Sequence, residues 1–223
     1  DPTLETGTII RVDNTAGEYP FEITGLDCGV IYYAKAYCKL NDMLYYSNTF
    51  AITTPFAYDY FLGTWEMSFT TVANNPSAAR NTLDITIEPN VEGSSYFIRG
   101  WLKDDIEALD GVDIVMNYDN STGLALNGQI NRTDDEFDYW LIATNNASAG
   151  GSFNANATYG LVSERIQGKD SFNMISNGKF ANMVGLRLSI KYAKGTTSGN
   201  KGASSDGKGG NGNNYFYIIL TKK

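Results

Sequence analysis

The stretch Gly63-Thr64-Trp65-Glu66-Met67-Ser68-Phe69-Thr70 alternates between apolar and polar residues. Trp65, Met67 and Phe69 share one face of an extended strand, because successive side chains of a strand point to opposite sides. The same period of two returns at regular spacing along the chain, and no segment keeps a helical period for long. This pattern predicts an all-β protein.

The predicted strands that follow residue 61 number about ten and are joined by turn residues. They cover residues 65–70, 83–88, 96–102, 112–118, 124–130, 137–144, 159–166, 172–176, 184–192 and 215–220. Consecutive strands with short links pair most simply as neighbours, which favours an antiparallel meander closed into a β-barrel.

An earlier group of strands precedes this series. Residues 31–40 form a tyrosine-rich strand, Asn41-Asp42 predicts a turn, and residues 43–54 return as a second strand. Proline lacks the N–H that a central strand uses, so Thr54-Pro55 ends the group. We therefore expect two domains, one over residues 1–55 and the other over residues 56–223.

The composition excludes several classes of function. Lys and Arg total 17 and Asp and Glu total 25, which leaves a formal charge of −8, and this balance argues against nucleic acid or an anionic membrane as a partner. The chain has no histidine, which excludes Ser-His-Asp and Cys-His catalytic sites and His-ligated metals. The sequence indicates no cofactor.

The first block resembles the closing half of a fibronectin type III domain. Leu26-Asp27-Cys28-Gly29-Val30-Ile31-Tyr32 has the family spacing of leucine, glycine and tyrosine. The resemblance implies a tyrosine corner, in which the Tyr32 hydroxyl bonds the backbone upstream. Only residues 8–13 and 19–26 offer strands before this match, so the block is predicted to be a partial domain with an exposed sheet edge.

Two further resemblances concern the start of the second domain. The order of a fibronectin-like end, Thr54-Pro55 and then Leu62-Gly63-Thr64-Trp65 is similar to Bacteroidetes-type exported lipoproteins. That resemblance implies a protein of the cell surface or periplasm whose lipid anchor has been removed, and it touches the membrane only through that anchor.

Gly63-Thr64-Trp65 is also similar to the Gly-x-Trp signature of lipocalin-type barrels. The resemblance implies that Trp65 plugs the closed end of the barrel and packs against a basic side chain from a late strand. Arg187 is the nearest basic candidate, although its position in the alternation opposes Leu186 and Leu188.

Candidate site residues fall into two classes. Trp101 and Trp140 are candidates for ligand binding, because indole rings stack on sugars or line apolar cavities. Hard oxygen ligands at close spacing are candidates for Ca²⁺, although they lack the spacing of a known calcium loop, and these are Asp104, Asp105, Asp110 and Asp113.

Three functions remain open at this point. The first is a non-catalytic exported binding protein whose ligand is a glycan or a small apolar molecule. The second is an assembly module whose N-terminal block is completed by a protein partner. The third is a glycoside hydrolase that works through two carboxylates.

Overall fold

The computed structural model describes residues 2–12, 22–72, 74–101, 114–133, 135–144, 152–154, 160–176, 184–195, 198–200 and 214–223. Over these residues the protein is all-β, as the alternation predicts. Its chain divides into two compact units, Asp1–Pro55 and Phe56–Lys223.

Unit 1 contains four short strands: β1 (Ile31–Ala34), β2 (Tyr37–Leu40), β3 (Met43–Tyr46) and β4 (Phe50–Thr53). β1 pairs with β4 and β2 pairs with β3, both antiparallel, so the four strands form one long hairpin with an irregular middle. Asn41 and Asp42 have φ angles of 49° and 62° at its tip. Both central residues of a type I′ turn need positive φ, and the predicted turn at these residues is confirmed.

Thr54 holds the base of this hairpin together. Its backbone N–H donates to the Val30 carbonyl at 3.0 Å, and its side-chain oxygen accepts from the Val30 N–H at 3.0 Å. The Thr54 hydroxyl also donates to the Asp27 carbonyl at 2.6 Å. The Val30–Thr54 bonds place even-numbered residues of β1 in bonded pairs with β4, so Ile31 and Tyr33 direct their backbone groups toward the outer edge.

Unit 2 begins with a short 3₁₀ helix, η1 (Tyr58–Phe61), and closes eight antiparallel strands into a barrel. The barrel strands, in the order in which they pair, are β5 (Gly63–Thr70), β6 (Asn81–Val91), β7 (Ser95–Arg99), β8 (Ile114–Asp119), β9 (Gly123–Asn127), β13 (Gly160–Arg165), β14 (Ser171–Ser176) and β17 (Asn214–Lys222). Pairing of β17 with β5 completes the circle.

Three strands branch from the barrel at β17. β10 (Gln129–Thr133) pairs with β11 (Phe137–Thr144), which pairs with β15 (Gly185–Ala193), and β15 pairs with residues 214–216 of β17. β14 instead pairs with residues 219–221, so the two strands share one edge of β17. β12 (Ser152–Asn154) and β16 (Ser198–Asn200) form a separate pair.

The alternation predicted in β5 sets the core. Trp65 and Met67 are almost wholly buried, and Phe69 is nearly so, because their face of the strand looks into the barrel. Among the described residues, no helix has the length and apolar character that a membrane span requires.

Candidate functional site

An aromatic cluster fills one end of the barrel. Phe61, at the end of η1, is fully buried and lies parallel to Trp65 at 6.2 Å between ring centroids, and both rings contact Phe172 of β14. The Trp65 indole N–H donates to the Phe61 carbonyl at 2.8 Å. The side chain that the lipocalin resemblance assigned to a plug therefore has every polar group satisfied.

The cation over this cluster is Lys222 of β17. Its Nζ lies 5.7 Å from the Trp65 ring centroid and 4.5 Å from that of Tyr60, and it donates to the Tyr60 carbonyl. Sequence reasoning considered Arg187 for this position. The alternation of Ile218, Leu220 and Lys222 in the last strand was the signal that could have found the lysine, because these residues share the inward face.

Three tyrosines tie the segment before β5 to this end of the barrel. The hydroxyls of Tyr58, Tyr96 and Tyr118 donate to the carbonyls of Ser95, Tyr58 and Phe56, respectively, at 2.6–2.8 Å. Burial raises the pKa of the Tyr96 phenol and of the Tyr58 phenol. These phenols are hydrogen-bond donors with fixed acceptors, which suits a structural role.

A second aromatic layer lies farther along the barrel. Trp101 follows β7 and meets Tyr215 edge to face at 5.2 Å between ring centroids, and Phe69 contacts the same tyrosine at 4.6 Å. Trp101 is 3% exposed. No face of its ring is open to solvent, so it cannot serve as a platform on which a sugar stacks.

A small apolar cavity adjoins Trp101. Its other lining side chains include Met67, Met116 and Met174, and its volume is about 10 Å³. That volume is roughly what one water molecule needs. The described interior of the barrel is otherwise filled by side chains, as is typical of barrels of eight strands.

The remaining predicted site residues have different outcomes. Trp140 lies in β11, where its backbone pairs with Ile130 and Ile190, but its side chain is outside the described part of the structure. The calcium candidates Asp104, Asp105, Asp110 and Asp113 lie outside the described residues. Within the part of the chain that is described, no His, Cys, Asp or Glu residues form a group of three or more that could hold a metal ion.

In unit 1, the Tyr32 hydroxyl accepts a hydrogen bond from the Asp27 N–H at 2.9 Å. This is an upstream backbone contact of the kind expected of a tyrosine corner. Neither Cys28 nor Cys38 forms a disulfide, and Cys38 is exposed.

Unit 1 also carries an unusual apolar surface, which sequence reasoning expected only as an open edge. None of its described residues is buried. Fourteen of its large hydrophobic side chains are exposed: Ile9, Ile10, Val12, Leu26, Ile31, Tyr33, Tyr37, Leu40, Met43, Leu44, Tyr45, Tyr46, Phe50 and Ile52. The described residues of unit 2 contribute three: Val72, Val91 and Ile175. Unit 1 is therefore the part of the molecule that exposes apolar side chains in number.

One protein family matches this chain. The model of DUF4987, a domain of unknown function, matches residues 47–184. The match begins before β4 and includes seven of the eight barrel strands, all but β17. No curated protein and no solved structure shows significant similarity to the chain. Because the match covers more than half of the sequence, the chain belongs to the DUF4987 family, a domain of unknown function.

Proposed function

We propose that this protein is a non-catalytic assembly module. In this proposal the outer edge of β1 in unit 1 pairs with the same edge of a second copy, and the barrel is a rigid, closed scaffold. The observation that carries the proposal is the exposed apolar surface of unit 1, which has fourteen large hydrophobic side chains in contact with solvent and no buried residue among those described.

The size of this surface fits a specific interface. Exposed fractions at these side chains run from 36% to 61%. Since a large side chain offers about 150–250 Å², fourteen of them at roughly half exposure present on the order of 1,000 Å². A standard interface buries about 800 Å² on each partner, and exposed apolar patches of this size mark interaction sites.

The ladder of unit 1 explains why a strand is the expected occupant. A two-stranded hairpin is at best marginally stable in water, and its open edges present unpaired N–H and C=O groups. An added strand satisfies these groups and covers both faces of the sheet, as in recognition by β-augmentation.

The register of β1 makes a second copy the partner that we favour. Ile31 and Tyr33 direct their backbone groups outward, and both side chains are at least half exposed. A two-fold axis at Tyr32 places Ile31 of one copy opposite Tyr33 of the other in an antiparallel pair. Each apolar side chain then meets an apolar side chain, which gives the self-complementary contact that a two-fold dimer requires.

The small-ligand function expected from the sequence has less support as the main role, because the cavity beside Trp101 has room for about one water molecule. For the finer identity, we propose an exported lipoprotein with a fibronectin-like first block and a lipocalin-like barrel. The Asp27–Tyr32 hydrogen bond and the position of Lys222 over Trp65 support that identity.

The test is sedimentation equilibrium of the purified chain from low to high micromolar concentration. We expect a concentration-dependent dimer, and we expect Tyr33→Pro to weaken it. In the two-fold arrangement this change deletes two interface N–H donors, each worth about 1 kcal/mol, so the dissociation constant should rise ~30-fold.

Ala51→Pro is the matched control. Ala51 pairs with Tyr33 in the hairpin and directs its backbone groups toward the opposite, β4 edge. The same substitution there should leave dimerisation unchanged. A chain that stays monomeric at every concentration, or a dimer that is weakened equally by both prolines, contradicts the proposal.

A further inference from the structure

Trp101 has a buried donor without an acceptor. The side chain is 97% removed from solvent, and its indole N–H has no hydrogen-bond partner among the described residues. An unsatisfied buried donor costs about 1–3 kcal/mol, so buried tryptophans usually find a partner for this group. Trp65 does so in this same barrel, with the Phe61 carbonyl.

The cavity beside Trp101 supplies no such partner. Its lining consists of apolar side chains and Trp101, which is its only side chain with a hydrogen-bonding N–H. A water molecule in a protein interior typically makes about three hydrogen bonds, and this lining offers one donor from Trp101. Water is therefore a poor occupant of the space.

We propose that this cavity binds a neutral aliphatic molecule that carries one acceptor oxygen, such as a ketone, with that oxygen on the Trp101 N–H. The aliphatic part replaces contacts among apolar side chains, and the oxygen satisfies the single donor. A carboxylate does not fit this site, because the lining contains no cationic side chain and an unpaired buried charge is costly.

Room for such a molecule comes from three methionines. Met67, Met116 and Met174 line the cavity from three different strands, and methionine is unbranched with three rotatable bonds. The empty volume of about 10 Å³ is too small for more than one heavy atom or two, so binding requires these side chains to change rotamer. This site is in the barrel and does not depend on the proposed pairing of unit 1.

The test uses three probes of equal chain length: 2-octanone, octane and octanoate. Proton–nitrogen correlation spectra of protein labelled at tryptophan report the three indole N–H groups, and the signal that disappears in Trp101→Phe identifies Trp101. We expect 2-octanone to shift this signal downfield in a saturable titration. We expect octane to bind without a downfield shift and octanoate to bind more weakly than both.

Two variants separate the hydrogen bond from the space. Trp101→Phe keeps an aromatic ring and deletes the donor, so it should weaken 2-octanone binding about three- to tenfold and leave octane binding unchanged. Met116→Ile keeps the number of heavy side-chain atoms but stiffens the side chain by β-branching, and it should reduce binding of both neutral probes.

Some results overturn the proposal. It is wrong if no probe binds, if octanoate binds as tightly as 2-octanone, or if Trp101→Phe leaves ketone affinity unchanged while the variant keeps the wild-type circular dichroism spectrum. A downfield shift of the Trp65 signal in place of the Trp101 signal also contradicts it.

Discussion

Arg80 bridges the two strands that close the barrel, and we expect its loss to weaken that closure. The Arg80 Nε donates to the Ser68 hydroxyl at 2.6 Å, and Nη2 donates to the Ser68 and Tyr217 carbonyls at 2.7 and 2.5 Å. The ladder between β5 and β17 shifts register between Phe216 and Ile219, and Tyr217 has a φ angle of 52°. The guanidinium therefore bonds a carbonyl on each strand where the ladder is irregular.

The expected cost follows from these three bonds. Hydrogen bonds to a charged group contribute about 1.5–3 kcal/mol each when well buried, and Arg80 is only half-buried, so we expect Arg80→Met to lower the free energy of unfolding by about 2–3 kcal/mol. Burial also lowers the pKa of the guanidinium, although an arginine stays charged at neutral pH. For a domain of this size the melting temperature should fall by about 5–10 °C.

Urea unfolding monitored by circular dichroism measures this loss. Arg80→Lys keeps the charge, but an ammonium lacks the planar fork that bonds both strands, so it should recover less than half of the stability. Arg99→Met is the control, because Arg99 pairs with Glu88 at 3.3 Å on the surface, where such pairs contribute about 0–1 kcal/mol. If Arg80→Met and Arg99→Met cost the same, the bridging role of Arg80 is refuted.

Three further predictions concern the barrel end and a surface turn. Gly123 and Gly168 both have positive φ, but a Cβ at Gly123 would lie 2.6 Å from the Ser163 Oγ, whereas one at Gly168 meets nothing within 4 Å. In urea unfolding, Gly168→Ala should cost about 1–2 kcal/mol from backbone strain and Gly123→Ala clearly more; equal costs contradict the crowding. The Asp119 carboxylate accepts hydrogen bonds from residues 121 and 122, which lower its pKa from 3.8 to about 2. A pKa lowered in the folded state gives stability that is present above pH 4 and lost as pH falls toward 2, so an acid titration should destabilise the wild type more than Asp119→Asn, and parallel curves refute this. Lys222→Met removes the cation over Trp65 and should cost about 1–2 kcal/mol with a change in tryptophan fluorescence, whereas an unchanged spectrum and stability contradict that contact.

Much of the fold follows from the two-residue period. In β5 the sequence alone places Trp65, Met67 and Phe69 on the inner face, and all three are buried. The turn at Asn41-Asp42 follows from local chemistry as well, because asparagine and aspartate tolerate positive φ. Such features are local, so one sequence is enough to predict them.

Strand pairing at β17 could not be predicted in the same way. Neighbouring strands pair from β5 to β9, as a meander requires, but β9 then pairs with β13, and β14 and β15 divide one edge of β17 between them. These choices depend on contacts between residues far apart in the sequence. The rule that consecutive strands pair is only a tendency, and here the branch of β10, β11 and β15 departs from it.

The candidate sites show the same division. Alternation identifies Trp101 as an aromatic residue near the end of a strand, but only the folded barrel shows that its N–H is buried without an acceptor. Arg80 lies at the start of β6 with no sequence signal, because its partners are a hydroxyl and two carbonyls on other strands. Sites that consist of backbone atoms cannot be read from residue types.

The contrast between the two units is the strongest argument about function. Closure gives each of the eight barrel strands a partner on both sides, which removes the open edges through which sheets associate. The hairpin of unit 1 has the opposite character, since its described residues expose most of their large apolar side chains and bury none. A surface of this kind is costly in water unless something covers it, because each exposed leucine- or tyrosine-sized side chain forgoes about 1.5–3 kcal/mol of burial. The energy available from covering fourteen such side chains is concentrated in unit 1, and association is therefore expected there and not on the barrel strands.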